Sequence, residues 1–176
     1  MEAGKISVIC PGLYRKAHAN GWPRSLGMSN TVSTLNDVIE ILKDGQEGYR
    51  QSAGEATSPD LKELFSKYSL QRSKFAGELQ QLSRELGEKE PATTGSTAGA
   101  IHRGWINLKA ALVSKNDHAI LEECERGEDS AVDTYEKALG VEDLDSNVAS
   151  TLRSQFAEVK AAHDNVKALR DGLAAE

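Results

Sequence analysis

The chain has 176 residues, enough to bury one hydrophobic core. Its 27 Asp and Glu outnumber its 21 Lys and Arg and leave a formal charge of −6, so there is no basic surplus to neutralise phosphates, and nucleic-acid binding is not expected. No apolar run approaches the roughly 20 residues that a bilayer crossing requires. The two cysteines, Cys10 and Cys124, are too few for a disulfide framework or a structural zinc site, and a reducing cytoplasm is the expected compartment. Aromatic residues are 5% of the chain and prolines number 4, whereas Ala, Leu, Glu and Lys are abundant, a composition that favours helices over sheets.

The opening stretch, "MEAGKISVICPGLYRKAHANGWPRSLG", differs from the rest. It carries Lys5, Arg15, Lys16 and Arg24 against a single acid, Glu2. Its apolar run "ISVIC" is too short for a signal peptide, and no small-residue cleavage site follows. Residues 1–30 are expected to form a disordered extension, with a basic targeting arm as the sharper reading and Met28 as a candidate start. The bundle domain is expected over 31–176.

Helix 1 is predicted over about 33–56, with Leu35, Val38, Leu42, Tyr49 and Ala53 facing inward and Gln46 on the same face. "TSPD" then makes a tight join. Ser58 suits the N-cap, Pro59 the first helical position, and Asp60 complements the dipole. Helix 2, about 59–86, repeats Leu61, Phe65, Tyr68, Phe75, Leu79, Leu82 and Leu86 at steps of four and three, with Arg72 in the one gap and Gly87 as the stop. The linker "EKEPATTGSTAGA" leads into a short amphipathic helix, about 98–113, in which Ile101, Trp105, Leu108 and Leu112 share a face beside His102. Trp105 reads as a core residue, with a docking surface for a partner as the competing role.

Helix 3 begins at an Asn116 or Asp117 cap and runs to Gly140, with Ile120, Leu121, Cys124, Ala131, Val132, Tyr135 and Leu139 inward. Cys124 reads as a small core residue rather than a redox nucleophile. The run "ECERGED" reads as a solvated flank with Glu128 at its inner edge. Helix 4, capped near Asp145 or Ser146, carries Leu152, Phe156, Val159, Val166 and Leu173, with His163 filling the gap. Short joins after helices 1 and 3 imply antiparallel hairpins, and the long stretch between them can cross the bundle. The predicted fold is all-α: a ferritin-like antiparallel four-helix bundle whose crossover carries the short extra helix.

Each long helix thus places one polar residue in its apolar stripe: Gln46, Arg72, Glu128 and His163. At about 1.5 Å of rise per residue they fall near the middle of the bundle, with Tyr49, Tyr68 and Tyr135 close by. A ferritin-like di-iron centre takes one Glu from each of two helices and Glu-x-x-His from each of the others. Laid on that frame, the lone-carboxylate positions are Gln46 and Glu128, the helix-2 pair is Ser69 and Arg72, and the helix-4 pair is Lys160 and His163. A guanidinium and an ammonium repel the cations such a centre must hold. Three readings of the layer follow: a buried Arg72–Glu128 pair completed by Gln46 and a tyrosine, a single metal ion on Glu125, Glu128 and His163, or an acid/base pair of Glu128 and His163. The first is preferred, because cations stand where the frame needs ligands, and the acid/base pair ranks last, since no pocket or nucleophile is visible in the sequence.

From Leu35 to Arg170 the chain resembles an uncharacterised bacterial family of ferritin-like four-helix bundles, known as a domain of unknown function. The segments that carry the likeness are "LNDVIEILKDGQEGYR", "GAIHRGWINLKAALV", "AILEECERGEDSAVDTYEKAL" and "EVKAAHDNVKALRD". The resemblance implies a fold similar to ferritin and rubrerythrin, no established activity and a stress-associated role. Of the ligand frame it carries over only Glu128 and His163, with Glu125 as a neighbour. The expected function is therefore that of a non-enzymatic bundle with a degenerate di-iron site, without cofactor, associating through its helix faces as a homo-oligomer. Iron binding around Glu128 and His163 is the alternative.

Overall fold

The structure, a computed structural model, describes residues 24–95 and 116–174. Among these residues there are four helices and no strand: α1 (Arg24–Glu55), α2 (Pro59–Glu85), α3 (Asp117–Leu139) and α4 (Ser146–Ala174). The short helix expected over 98–113, with His102 and Trp105, lies outside the described residues, as do residues 1–23 of the expected extension.

The local signals act where the sequence puts them. Ser58 is extended (φ −69°, ψ 126°), and its hydroxyl accepts the Leu61 N–H, while Pro59 opens α2. Gly87 adopts φ +96°, a left-handed conformation that favours glycine, and ends the helix. The Asn116 side chain caps α3 by accepting from the backbone N–H groups of His118 and Ala119. Asp145 caps α4, its Oδ1 accepting from the Asn147 N–H at 2.8 Å. The start of α1 differs from expectation: it begins at Arg24, well before residue 33. Residues 30–34, which include Thr31, Ser33 and Thr34, are helix interior. The Thr34 hydroxyl donates to the Asn30 carbonyl four residues back at 2.8 Å, which satisfies it within the helix, and Thr31 and Thr34 are both buried.

Cross-helix contacts give the direction of each neighbour. Tyr49 meets Glu128, Ser52 meets Cys124 and Thr57 meets Asp117, so α1 and α3 run antiparallel. Tyr68 meets Asn165 and Glu78 meets Gln155, so α2 and α4 do too. With the short joins 56–58 and 140–145, α1 and α4 point one way and α2 and α3 the other. Helix α2 therefore ends at one end of the bundle and α3 begins at the other, and these are the two ends of the connection between them. Its first residues are held at one end, where Asn36 Oδ1 accepts the Ala92 N–H at 3.1 Å and Gln80 Nε2 donates to the Ala92 carbonyl at 2.6 Å. At the other end Asp117 accepts from the Thr57 N–H and hydroxyl, both at 2.7 Å, and from the Ser58 N–H at 2.8 Å.

The interior forms two apolar clusters. One gathers Leu35, Val38, Leu42, Phe75, Leu79, Tyr135, Leu152 and Val159. The other gathers Tyr49, Phe65, Tyr68, Ile120, Leu121, Cys124, Ala162 and Val166. On every helix the boundary falls within the same stretch: 42–49, 68–75, 124–131 and 159–162. Arg72 and Glu128 lie in that boundary.

Candidate functional site

Arg72 and Glu128 are each 1% exposed. Nη2 of Arg72 donates to both Glu128 oxygens at 2.6 Å, and the Tyr49 hydroxyl donates to Glu128 Oε1 at 2.8 Å. Nη1 of Arg72 donates to Gln71 Oε1 at 2.7 Å, and the guanidinium carbon lies 6.0 Å from the centre of the Tyr49 ring. A buried ion pair of this kind survives only when its remaining hydrogen-bonding groups find partners; Tyr49 supplies one to Glu128 and Gln71 one to Arg72.

Electrostatics keep the guanidinium, phenol and thiol of the layer protonated. Burial opposes the Arg72 charge, but Glu128 and the phenol oxygens outweigh it and hold the guanidinium above its ordinary range. Burial, with the negative field of Glu128, pushes the Tyr49 phenol well above the ordinary tyrosine value. Burial also pushes the Cys124 thiol up to about 12, against a hydrogen bond from Ser52 that favours the thiolate. The layer thus presents protonated phenol and thiol groups around a charge-paired carboxylate, and no group poised as a nucleophile.

The four residues expected in the layer do not all reach it. Arg72 and Glu128 come together, whereas Gln46 and His163 stand aside. Gln46 is half-buried and its amide oxygen accepts from Lys43 Nζ at 3.4 Å. The α1 residue facing the guanidinium is Gly45, where a Cβ would lie 3.6 Å from Arg72 Cγ in ordinary contact. His163 is rotated toward the α3 edge, with Nε2 3.0 Å from Asp129 Oδ1 and Nδ1 2.9 Å from Asp164 Oδ1. The inward row of α4 is Leu152, Gln155, Val159, Ala162 and Val166. The sequence pattern preferred the larger Phe156 to Gln155 and so turned the face by one residue.

The run "ECERGED" is also corrected. Glu123, Glu125 and Glu128 are all buried rather than solvated. Each has its own arginine: Glu123 pairs with Arg126, Glu125 with Arg170, and Glu128 with Arg72. Buried carboxylates need such partners: Arg126 stands one turn along the same helix, Arg72 and Arg170 come from α2 and α4, and Oε2 of Glu123 is left without a hydrogen-bond partner among the described residues. Glu125, Glu128 and His163 are therefore engaged with three separate partner sets. Among the described residues no group of three or more His, Cys, Asp and Glu side chains could hold a metal ion. The residues of the di-iron frame do not fit a metal pair: Ser69 donates to the Gln46 carbonyl at 2.9 Å, Lys160 is exposed, and the Glu128 oxygens are taken by Arg72 and Tyr49.

A second buried network was not legible in the sequence. The Tyr135 hydroxyl donates to Gln155 Oε1 at 2.8 Å, and Gln155 Nε2 donates to Glu78 Oε2 at 2.8 Å and to the Phe75 carbonyl at 3.3 Å. The only available signal was that residue 155 keeps the three-and-four spacing with Leu152, Val159 and Val166.

The family described as Domain of unknown function (DUF2383) matches residues 30–141, more than half of the chain, and the chain belongs to that family. The match takes in Tyr49, Arg72 and Glu128, and it ends before α4. No curated protein matches the chain. Among the described residues no helix is long and apolar enough to cross a membrane.

Proposed function

We propose that this member of the family is a non-enzymatic bundle of ferritin-like topology, in which an Arg72–Glu128–Tyr49 layer takes the place of a di-iron centre. The supporting observation is the guanidinium nitrogen 2.6 Å from both oxygens of Glu128, the one carboxylate left in the di-iron frame. A cation entering there must displace a positive charge that is already neutralised and hydrogen-bonded. The neighbour directions support the topology, because two antiparallel hairpins joined by one long crossover are the ferritin-like connection. Binding of iron by Glu125, Glu128 and His163 would require each to leave the partner it has.

Metal analysis of protein purified without chelators, followed by iron titration, tests this reading. Iron well below one ion per chain is expected both before and after titration. About two tightly held irons per chain, lost in Glu128→Ala, would overturn it.

A further inference from the structure

The four helices do not hold one another equally. α1 and α2 pack closely, with Gly45 facing the Arg72 side chain and the Ser69 hydroxyl donating to the Gln46 carbonyl. α3 and α4 are joined by the stack of Tyr135 on Phe156 and by the Arg170–Glu125 pair. Between these two hairpins, α3 meets α1 at Ser52–Cys124 and Tyr49–Glu128, and its Asp117 clamps Thr57 and Ser58 of the α1–α2 join. α2 and α4 are the most loosely packed neighbours, and a half-open groove of about 440 Å³ lies between them.

The hydrogen bonds that cross the α2/α4 seam share one chemistry. Among the described residues each is given by a side-chain amide. Asn165 Nδ2 donates to the Tyr68 hydroxyl at 2.9 Å, and Gln71 Nε2 to Glu158 Oε2 at 3.0 Å. Gln155 Nε2 donates to Glu78 Oε2 at 2.8 Å and to the Phe75 carbonyl at 3.3 Å. Water replaces neutral bonds of this kind at small net cost, and a groove already open on one side admits it. One stronger link lies behind them: the buried Arg72–Glu128 pair runs from α2 to α3 and so ties α2 to the second hairpin.

We propose that the bundle opens along the α2/α4 seam as a unit smaller than global unfolding, with the two hairpins turning about the α1/α3 contact and the Arg72–Glu128 pair acting as the latch. Opening brings water to both buried networks while Ser52 and Cys124 stay covered. The contacts broken set the free energy of a local opening, and a seam with few apolar contacts stands at the low end. Such a seam follows from helix packing and is independent of whether the ion pair substitutes for a metal centre.

Alkylation of buried thiols in the full chain tests this. Ala162 is 2% exposed and stands one turn from both Glu158 and Asn165, whose partners are on α2. In a Cys10→Ser background, Ala162→Cys places a small thiol beside the seam, and the native Cys124 reports the α1/α3 side. Iodoacetamide labelling at pH 8 is followed at each position by mass spectrometry, from zero urea to the foot of the unfolding transition. The thiol at position 162 is expected to label at least about tenfold faster than Cys124. Its rate should also climb less steeply with urea, because a local opening exposes less surface. Gln71→Ala removes one bond of the seam and one partner of the latch and should speed labelling at 162 severalfold, and Arg72→Met should speed it more. Asp117→Asn loosens the side that stays closed and should speed Cys124 alone. Equal rates and equal urea slopes at the two positions would overturn the proposal, since both thiols would then await global unfolding. So would an Arg72→Met protein that stays folded by circular dichroism and labels at 162 no faster than its parent.

Discussion

Replacing Arg72 by Met and Glu128 by Leu, singly and together, probes the buried layer directly. In Arg72→Met the Glu128 carboxylate stays 1% exposed and retains one donor, the Tyr49 hydroxyl at 2.8 Å. In Glu128→Leu the guanidinium keeps only Gln71 and the face of the Tyr49 ring. Removing one partner of a buried pair costs about 3–5 kcal/mol, because the other charge is left uncompensated. The double variant buries no charge and fills the space with apolar groups of similar length, so its loss should be smaller than that of either single variant. The coupling energy should then reach at least about 2 kcal/mol, within the range measured for close charge pairs. Tyr49→Phe removes one hydrogen bond to the same carboxylate and should cost about 1–2 kcal/mol. Urea unfolding followed by circular dichroism at neutral pH measures all four, provided the slopes agree. Additive losses, or single-variant losses below about 1 kcal/mol, would refute a layer held by mutual neutralisation.

At Asp117, burial raises the carboxyl pKa, but hydrogen bonds from Thr57 and Ser58 prevail and hold it below the usual carboxylate value. A depressed folded value means stabilisation that is complete above the ordinary carboxylate range and lost as pH falls through the folded value. Asp117→Asn should therefore flatten the acid side of the stability profile below about pH 4, and an unchanged profile would contradict this. Cys124 is fully buried with its thiol pushed up to about 12, so in a Cys10→Ser background alkylation at pH 8 should proceed only as fast as the protein opens. Mass spectrometry showing immediate labelling of the folded protein would refute that. Gly77→Ala adds a methyl that meets nothing within 4 Å on an exposed face of α2 and should stabilise the protein by up to about 1 kcal/mol, read as a higher urea midpoint.

What could be read from the sequence was what short stretches of chain dictate on their own. Ser58 and Pro59 open a helix, Gly87 stops one and Asn116 caps another, because these residues satisfy or break backbone geometry whatever surrounds them. Arg72 and Glu128 were legible for a related reason: each fills a gap in a stripe of large apolar side chains, and a charge facing inward needs an opposite charge. Periodicity alone could not decide the rotation of α1 and α4. Tertiary packing placed the small residues Gly45 and Ala162 inward and turned Gln46 and His163 aside, since close helix approach rewards small side chains that a hydrophobic pattern overlooks. Likewise, that Arg170 neutralises Glu125 and Arg72 neutralises Glu128, and that Gln71 and Gln155 carry the buried networks out to Glu158 and Glu78, depends on residues brought together from distant parts of the chain. Local chain chemistry set the helices and their charges, and the meeting of four helices at a common depth set their partners.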